Sequence, residues 1–586
     1  MKYPKIPLAQ TVIQLFKIKK IEHIVISPGS RNAPLTIGFT NDSSFKCYSI
    51  VDERCAAFFA LGMAQQLRKP VAIVCTSGSA LLNYYPAIAE AFYSDIPLVV
   101  LSADRPEHLI DVGDGQTINQ KNVFQNHILF SSNLRQDIRE VNGFLKNDEL
   151  AIFKSIENKL ERLLGIQQSI QRQNEAEINE ALNKAIYKKG PVHINVPLDE
   201  PLYEMVDNLS VNPKGDDVFL RPKRIDDGLL NDLVDQWYNS KRKMVVVGVN
   251  DPNGVEQNWL DELANDESVI VFTETTSNLH HSEFFPSIDK IIAPLSDREF
   301  KNLQPDILVT FGGLIVSKKI KAFLRQYKPK SHWHIDERKA NDTFFSLDHH
   351  IKTTPNQFFA EFFERVTHVT KSDYQEFWKR VKQHRRRQHK TYIESTPFSD
   401  FKVFSKVLKT VPKDTILQLA NSAAVRYAQL FKINKTIEVY CNRGTSGIDG
   451  STSTAVGCAV VSKKQTTLIT GDLSFFYDSN ALWNNYIPTN FRIIVINNGG
   501  GGIFRILPGR KNTENFDTYF ETKHNLTAEQ LCKMYGFEYV TSSSLDSLTE
   551  EMSSFYINSE SPKLLEIFTP STVNDEVLLN YFKFIK

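Results

Sequence analysis

Residues Thr466–Asn498 read TTLITGDLSFFYDSNALWNNYIPTNFRIIVINN, and their pattern predicts how the C-terminal part of the chain folds. The first and last segments of this stretch, rich in Ile, Val and Thr, predict buried strands, and the segment between them has a helical composition. A strand–helix–strand unit of this kind places both strands parallel in one sheet. Gly471-Asp472 and Asn497-Asn498 then follow strand ends, at the edge where parallel sheets bind ligands.

The polar groups at these two strand ends are suited to a metal-bound diphosphate. A carboxylate from Asp472, an amide oxygen from Asn498 and a backbone carbonyl are hard oxygen ligands of the kind that Mg²⁺ prefers. The run Gly499–Gly502 allows close approach of the backbone and can expose N–H groups to phosphate oxygens. Each motif alone is typical of a turn or loop, but the pair at this spacing is far more specific.

The same alternation of apolar runs and helical segments recurs along the whole chain. The N-terminal part contains IEHIVISPGS, KCYSIVD, PVAIVCTSG, IPLVVLSAD and GPVHINVPL, and the middle contains KMVVVGVND, SVIVFTET, KIIAP, DILVTFGG and SHWHIDE. The C-terminal part adds DTILQLANS, TIEVYCNRG and KLLEIFTP. We predict an α/β protein of three successive doubly wound parallel-sheet domains, with boundaries at 1–197, 198–400 and 401–586.

Composition and charge exclude several classes of protein. The 586 residues include 69 Lys+Arg and 68 Asp+Glu, and a net charge of +1 argues against a nucleic-acid or anionic-membrane binder. No apolar run approaches the roughly 18 residues of a membrane span, and the first residues lack the pattern of an export signal. The 6 cysteines include no CxxC pair, so we expect a cytoplasmic protein. The basic run His384–Arg387 is interpreted as a solvated helix face.

The pattern from Gly471 to Asn498 resembles the signature of thiamin diphosphate enzymes, which opens with GDG or a close variant and closes with NN. By that resemblance, Asp472 and Asn498 are ligands of Mg²⁺, or of Mn²⁺ in its place, with the Gly500 carbonyl as a third ligand. Leu473 replaces the usual glycine without removing a metal ligand. Leu473 and Ser474 are placed against the cofactor.

A second half-site is implied in the first domain, where Glu53 begins an apolar helix. An acid there could simply favour the helix N-terminus, and the residue alone leaves that structural role and a catalytic one equally open. Thiamin diphosphate enzymes use a glutamate to drive the tautomerisation of the aminopyrimidine ring, and Glu53 is the candidate. Such sites form between the first domain of one subunit and the third domain of another, which implies a homodimer or a dimer of dimers.

Further motifs narrow the resemblance: SPGSRNAPL (27–35), DERCAAFFALG (52–62), TSGSA (76–80), SADRP (102–106) and NRGTSGIDG (442–450). Together with GDLSFFYDSNAL (471–482), they resemble the MenD family, the 2-succinyl-5-enolpyruvyl-6-hydroxy-3-cyclohexene-1-carboxylate synthases of menaquinone biosynthesis. The resemblance covers nearly the whole chain and is weakest from about 200 to 400. It implies a transferase that decarboxylates 2-oxoglutarate on the cofactor and adds the succinyl carbanion to isochorismate in a 1,4-addition.

Both substrates of that family carry two carboxylates, so the site is expected to hold fixed arginines. Any one arginine is more often a surface residue, but four fall at strand-end motifs: Arg31, Arg105, Arg426 and Arg443. The motif match also assigns substrate or cofactor contacts to Ser30, Gln116, Ser422 and Lys318, with Lys319 as the neighbouring alternative. Few acids besides Glu53 and Asp472 stand in these motifs, which predicts a locally cationic pocket.

Two departures from the family pattern affect this assignment. Gly115 stands where the family often has Asn and cannot supply that polar side chain, and Ala420 stands where Gly is commoner. Ile448 is placed as the apolar wedge that bends the cofactor, with an ordinary core isoleucine as the alternative. An apolar wall that excludes water over the cofactor is assigned to Ile503, Phe504 and Leu507.

Three other functions fit the sequence less well. Another thiamin diphosphate-dependent 2-oxo acid decarboxylase or carboligase would need an apolar pocket in place of the arginines. A non-catalytic binding protein that kept the fold would have lost Glu53, Asp472 or Asn498, and all three are present. A dinucleotide-dependent dehydrogenase is disfavoured because no strand is followed by GxGxxG with an acid about 20 residues later. No histidine stands in a metal-site or triad spacing, so none is assigned a catalytic role.

Overall fold

The computed structural model describes residues 2–138, 150–216, 224–506 and 513–586, and the side chains of 150–164 lie outside the description. The chain divides into two compact units. The first comprises Met1–Leu220, Val456–Val461 and Asn480–Tyr486, and the second comprises Arg221–Ala455, Ser462–Ser479 and Ile487–Lys586. No helix among the described residues is both long and apolar enough to cross a membrane.

The first unit is built around a parallel sheet. Its strands are β1 (Tyr3–Pro4), β2 (His23–Ile26), β3 (Lys46–Ser49), β4 (Val71–Cys75), β5 (Leu98–Asp104), β6 (Phe130–Asn133), β7 (Val192–Pro197) and β8 (Met205–Val206). Six of them form one parallel sheet in the order β3-β2-β4-β5-β7-β6, and β1 pairs antiparallel with β8. The helices are α1 (Pro7–Ile18), α2 (Ala33–Thr40), α3 (Glu53–Leu67), α4 (Ser79–Asn83), α5 (Tyr85–Ser94) and α6 (Leu150–Lys188).

The central strands of this sheet are buried throughout, which explains why the sequence shows them as continuous apolar runs. Every residue of β4 and β5 is buried, as expected for parallel strands with both faces covered. The helix that carries Glu53 starts where it does because the Asp52 side chain caps it, accepting the Cys55 N–H at 3.1 Å.

The second unit contains two further parallel sheets. The middle sheet has the strand order β10-β9-β11-β12-β13, formed by β9 (Lys243–Val247), β10 (Val269–Phe272), β11 (Ile307–Phe311), β12 (Ser331–Ile335) and β13 (His349–Ile351). Its helices are α7 (Asp227–Tyr238), α8 (Gln257–Asn265), α9 (Ile288–Ile292), α10 (Asp297–Leu303), α11 (Lys318–Gln326), α12 (Pro355–Phe363) and α13 (Tyr374–Ser395).

The third sheet has the order β15-β14-β16-β17-β19-β18 and is also parallel. Its strands are β14 (Ile416–Leu419), β15 (Glu438–Tyr440), β16 (Thr466–Gly471), β17 (Arg492–Asn497), β18 (Glu538–Ser542) and β19 (Lys563–Phe568). The helices of this part are α14 (Asp400–Thr410), α15 (Ala423–Ala428), α16 (Ser451–Val461), α17 (Asp472–Tyr477), α18 (Ile503–Ile506), α19 (Glu514–Phe516), α20 (Glu529–Tyr535), α21 (Leu545–Ser554) and α22 (Asn574–Phe584).

Three parallel α/β sheets confirm the predicted fold class, whereas the boundaries at 197 and 400 stay predictions. One strand prediction was wrong. The run KIIAP, residues 290–294, contributes to α9 instead of a strand, and β13 supplies the fifth strand of the middle sheet. A short apolar run does not by itself distinguish a buried strand from a buried helix segment.

The basic run His384–Arg387 was interpreted correctly for only part of its length. Arg386 and Arg387 are exposed on α13, but Arg385 is only 5% exposed. Its guanidinium donates to the Ile585 carbonyl, and His384 Nε2 lies 2.9 Å from the Lys586 carbonyl oxygen. The helix therefore uses half of its basic run to hold the C-terminus of the chain.

Candidate active site

Asp472 and Asn498 lie at the carboxyl ends of neighbouring parallel strands. Gly471, the last residue of β16, is paired with Ile496 of β17. Asp472 is 3% exposed, and its carboxylate accepts the N–H of Leu473 at 2.7 Å and that of Gly500 at 2.9 Å. The strand register thus brings these two predicted metal ligands to one place on the sheet edge.

The side chain of Asn498 is oriented by an acid that sequence reasoning missed. Its Nδ2 donates to Asp400 Oδ2 at 3.0 Å, while its Oδ1 is buried with no hydrogen-bond partner among the described residues. A buried carbonyl oxygen without a partner is costly. A cation beside Asp472 would satisfy it, so the groups present fit an oxygen-liganded divalent metal.

The glycine run places the backbone against these side chains. Gly500 has a φ of 149°, and a Cβ there would lie 2.6 Å from the Glu521 carbonyl oxygen, so this position requires glycine. Its carbonyl, the predicted third metal ligand, accepts the Gly502 N–H at 3.0 Å and keeps a second lone pair. Asn497 is instead structural, because its Nδ2 donates to Glu566 Oε1 at 2.7 Å.

The acids at this site are perturbed by burial. Burial raises the pKa of Asp472, and the Leu473 N–H and the nearby His524, whose Nε2 lies 3.3 Å from Asp472 Oδ2, oppose that rise. Burial raises the pKa of Asp400 to about 6, and the negative charge of Asp472 adds to it. Asp400 and His524 belong to no motif in the sequence and become visible only in the fold.

Ser474 connects α17 to the loop that contains the proposed wedge. Its Oγ donates to the Ile448 carbonyl at 2.6 Å. The side chain of Ile448 is 39% exposed, which disfavours the alternative of an ordinary core isoleucine. Leu473, beside Ser474, is half-buried.

Two of the three residues of the proposed apolar wall lie within the described part of the chain. Ile503 and Phe504 lie in α18, and Phe504, 37% exposed, packs edge-on against Phe520 with ring centroids 6.2 Å apart. Leu507, the third predicted member, lies outside the described residues.

Two of the predicted arginines come together beside β14. Ser422 follows the strand with a φ of 65° and precedes α15, which contains Arg426. Arg443 Nη1 donates to Asn421 Oδ1 at 2.7 Å. Burial lowers the pKa of Arg426, and the charge of Arg443 lowers it further, which indicates that the two guanidinium groups are close. Ala420 is buried and has a negative φ, so its Cβ is accommodated.

The middle domain adds charged groups near Arg443. Burial raises the pKa of Glu274 to about 7, and its carboxylate accepts the N–H groups of Val316 and Ser317, each at 2.7 Å. Burial lowers the pKa of Lys321; Glu274 opposes this and Arg443 adds to it. Lys321 was missed, although its position one helical turn after Lys318 could have indicated it.

Lys318 and Lys319 have different surroundings. Lys318 is the exposed first residue of α11. Lys319 Nζ lies over the ring of Phe582 at 5.1 Å from the centroid, on the C-terminal helix. A cation–π contact of this kind occupies Lys319, which favours Lys318 as the ligand-contacting residue.

In the first unit, Glu53 is the first residue of α3 and is half-buried. Its carboxylate has no hydrogen-bond partner in the part of the chain that the structure describes. Burial is the main reason that the pKa values of Cys75, the last residue of β4, and of Tyr84 are raised. The negative charge of Glu53 raises both pKa values further. The acid therefore faces the sheet edge and is available to a ligand.

Arg105 and Gln116 are brought together through a serine. Arg105 Nη1 donates to Ser77 Oγ at 2.7 Å, and Ser77 Oγ donates to the Gln116 carbonyl at 2.9 Å. Arg105 Nε donates to Asp114 Oδ2 at 2.7 Å. A Cβ at Gly115 would meet nothing within 4 Å. There is room at this position for the Asn side chain that the family often has, and this chain does not supply it.

Arg31 and Ser30 follow β2. Ser30 is exposed, whereas Arg31 Nη1 donates to the Leu198 carbonyl at 3.1 Å and lies 3.4 Å from Glu200 Oε1. Burial raises the pKa of Asp104, and Arg105 and Arg31 both oppose that rise. The expectation of few acids near the arginines was therefore wrong in the first unit. Parallel strand ends gather residues from distant segments, which the separate motifs do not reveal.

The chain matches three families: "Thiamine pyrophosphate enzyme, N-terminal TPP binding domain" over residues 6–132, "Middle domain of thiamine pyrophosphate" over 221–419, and "Thiamine pyrophosphate enzyme, C-terminal TPP binding domain" over 421–567. It is therefore a thiamine pyrophosphate (thiamin diphosphate) enzyme, as predicted.

Named relatives identify the branch of this class. The chain is 56% identical over 583 residues to the 2-succinyl-5-enolpyruvyl-6-hydroxy-3-cyclohexene-1-carboxylate synthase of Flavobacterium psychrophilum, with 100% of both chains covered. It is 58% identical over 591 residues to that of Christiangramia forsetii, again with 100% of both covered. The synthase of Porphyromonas gingivalis is 37% identical, covering 98% of this chain and 96% of the relative. The chain belongs to this synthase family, and the predicted resemblance is confirmed.

Proposed function

We propose that this chain decarboxylates 2-oxoglutarate and transfers the remaining four-carbon unit to isochorismate, forming 2-succinyl-5-enolpyruvyl-6-hydroxy-3-cyclohexene-1-carboxylate. The observation that carries the proposal is the placement of two buried or half-buried arginines in each unit, at the carboxyl ends of the first and third sheets: Arg31, Arg105, Arg426 and Arg443. Two dicarboxylic substrates need several fixed cations, whereas a monocarboxylic 2-oxo acid with an apolar side chain does not.

Mg²⁺ is the metal we propose, held by Asp472, the Asn498 amide oxygen and the Gly500 carbonyl. The buried, unpartnered Oδ1 of Asn498 supports this assignment. Asp400 is a positioning residue, because its hydrogen bond to Nδ2 turns the oxygen of Asn498 towards the metal position. Mn²⁺ would suit the same oxygen ligands.

Thiamin diphosphate, when bound, would supply a nucleophilic carbon and an electron sink for the decarboxylation of a 2-oxo acid. Glu53 would hold a proton at the pyrimidine ring of the bound cofactor through a hydrogen bond, which would activate that ring as a base. Contacts to the cofactor are assigned to Ser422, Ile448, Leu473, Ser474 and Ile503.

The remaining residues bind substrate and exclude water. Carboxylates are held by the four arginines, with further contacts from Ser30, Gln116 and Lys318. Phe504 and Leu507 keep water from the reacting carbon, which favours loss of the substrate carboxylate.

Assembly is part of the proposal. We propose a homodimer or a dimer of dimers, in which Glu53 of one subunit serves the cofactor whose metal is held by Asp472 and Asn498 of another. Co-expression of E53Q and D472A chains tests this, since each homodimer is inactive by either arrangement. Recovery of about a quarter of wild-type activity is expected for random pairing if sites are shared between subunits. No recovery is expected if each site belongs to one chain.

We also propose that the protein acts in the cytoplasm. All six cysteines are free thiols, and five of them are buried, which suits a reducing compartment.

The substrate assignment is tested by isochorismate consumption with purified protein, thiamin diphosphate and Mg²⁺. Rapid consumption with 2-oxoglutarate and negligible consumption with pyruvate is the expected result. Equal rates with both 2-oxo acids would indicate a less specific carboligase and overturn the role of the arginines.

A further inference from the structure

A large cleft in the second unit has no part in the proposed reaction. It has a volume of 1510 Å³, and one wall follows β9 and β10 of the middle sheet, at the carboxyl edge where such sheets bind ligands. The facing wall consists of α13, the end of α14 and the segment that precedes β15. The proposed cofactor residues Ser422, Asp472 and Asn498 follow their strands instead, so they lie at the opposite edge of the third sheet.

The cleft is strongly cationic. Its lining includes seven lysines and two arginines against only two acids, Asp261 and Glu274. Asp261 lies 3.4 Å from His281 Nε2, and the Glu274 carboxylate is occupied by two backbone N–H groups. Several of the lining cations form no ion pair with any described residue, namely Lys290, Arg386, Lys390, Lys409, Lys432 and Lys435.

The positive charges that line the cleft repel one another, because few negative charges lie among them. Burial lowers the pKa of Lys290 to about 8, and the charge of Arg386 adds to that effect. Burial also lowers the pKa of His280, with Lys435 and then Lys432 contributing further. Gathering so many like charges in one cleft is unfavourable for the folded chain, and a bound anion would relieve the repulsion.

The kind of cation present indicates the kind of anion. Lysines predominate, and the guanidinium of Arg385 is already committed to the Ile585 carbonyl, so few planar forks are free for carboxylates. Compact ammonium groups distributed over a wide cleft suit phosphate groups. Phe284, Phe431 and Ile433 also line the cleft and offer contacts to an apolar part of the ligand.

We propose that this cleft binds a small organic molecule carrying several phosphate groups, at a site separate from that of the cofactor. Lys432 and Lys435 lie on one wall, and Lys382 and Arg386 lie on α13. A ligand with three or more negative charges could contact both walls at once.

Isothermal titration of the holoenzyme with tripolyphosphate tests the proposal, with thiamin diphosphate saturating and free Mg²⁺ held constant so that the cofactor site is filled. One binding event per subunit is expected. The double variant K432Q/K435Q should weaken binding about tenfold, since each lysine contributes a charge-assisted contact. Both lysines are exposed, so the fold is retained, which an unchanged Tm without ligand verifies.

A matched double variant, K533Q/K583Q, removes the same charge from two exposed lysines of the second unit that do not line the cleft. It should change the affinity less than twofold. Three results would overturn the proposal: no binding of tripolyphosphate, equal weakening by both double variants, or citrate binding as tightly as tripolyphosphate. The last would show that the cleft selects carboxylates and not phosphates.

Discussion

Asn498 Nδ2 donates to Asp400 Oδ2 at 3.0 Å, and this hydrogen bond leaves the Asn498 oxygen facing away, buried and without a partner among the described residues. The two residues are 98 positions apart in the chain. Their contact fixes which end of the amide a metal would meet, and it makes Asp400 a positioning residue instead of a ligand.

Asp400→Ala is expected to raise the Mg²⁺ concentration needed for half-maximal activity about 10- to 100-fold, because the Asn498 amide loses its orientation. In Asp400→Asn, the new side chain can still accept a hydrogen bond from Asn498. The Mg²⁺ requirement of this variant should therefore lie between those of Asp400→Ala and wild type. The rise in Tm caused by cofactor and Mg²⁺ gives a readout independent of turnover, and it should shrink in the same order.

Thr569→Val is the matched control for that series. Thr569 Oγ1 donates to Asp400 Oδ1 at 2.6 Å, and its side chain makes no hydrogen bond to Asn498. The Thr569→Val variant should be less stable than wild type, with little change in its Mg²⁺ requirement. A Mg²⁺ requirement as high as that of Asp400→Ala would mean that Asp400 acts only through local packing.

Gly500→Ala is expected to weaken cofactor binding at least tenfold, because the new Cβ would lie 2.6 Å from the Glu521 carbonyl oxygen and displace the loop beside Asp472. Gly536→Ala provides the comparison, since Gly536 also has a positive φ, 74°, but a Cβ there meets nothing within 4 Å. That control should lose about 1 kcal/mol of stability and keep its cofactor affinity. Equal cofactor affinities in the two variants would contradict the proposed role of the loop.

Glu53→Gln should reduce turnover by at least 100-fold while leaving Tm and diphosphate binding close to wild type. The carboxylate makes no hydrogen bond to a described residue, so its replacement breaks no contact of the folded chain. Steady-state rates, Tm and cofactor titration by fluorescence quenching measure the three quantities. Glu22→Gln, on the surface of the same unit, is the control, and full activity of Glu53→Gln would remove the residue from the mechanism.

Arg426→Ala should raise the KM for 2-oxoglutarate about tenfold or more, since one charge-assisted contact to a carboxylate is lost. The variant should also lose most of its preference for 2-oxoglutarate over 2-oxobutyrate, which lacks the second carboxylate. Arg387→Ala removes an exposed arginine of α13 and serves as the control. An unchanged preference in Arg426→Ala would show that this arginine does not recognise the substrate.

Glu274 should make stability depend on pH. Burial raises its pKa from 4.5 to about 7, so between these values the folded state keeps a proton that the unfolded state has lost. Stability due to this group therefore falls as the pH rises through this window, by about 1 kcal/mol per pH unit. Glu274→Gln removes that slope, whereas Glu364→Gln, an exposed control, keeps it. Parallel Tm curves for wild type and Glu274→Gln from pH 5 to 7 would contradict the prediction.

Part of the fold and site could be predicted because the decisive signals are local. TTLIT and RIIVI are continuous apolar runs, which parallel strands covered on both faces require, and they form β16 and β17. Asp472 and Asn498 follow these runs directly. Their proximity then depends only on the two strands being neighbours, which a short strand–helix–strand connection favours.

The rest depends on contacts between distant segments. Nothing near Asp400 or His524 in the sequence indicates that either side chain meets the metal-site residues. The cationic cleft likewise gathers lysines from 290 to 435, which appear in the sequence as separate solvated charges. KIIAP shows why a short run misleads: its five apolar-rich residues fit both the strand and the helix periodicity, and only packing against the middle sheet decides in favour of α9.

The proposed reaction is tested most sharply by carbon dioxide release from 2-oxoglutarate labelled at C1, using purified protein with thiamin diphosphate and Mg²⁺. We expect slow release without isochorismate and a large increase when isochorismate is added, matched by one equivalent of 2-succinyl-5-enolpyruvyl-6-hydroxy-3-cyclohexene-1-carboxylate per carbon dioxide. Release that is equally fast without isochorismate, and no coupled product with it, would show a simple decarboxylase and overturn the proposed function.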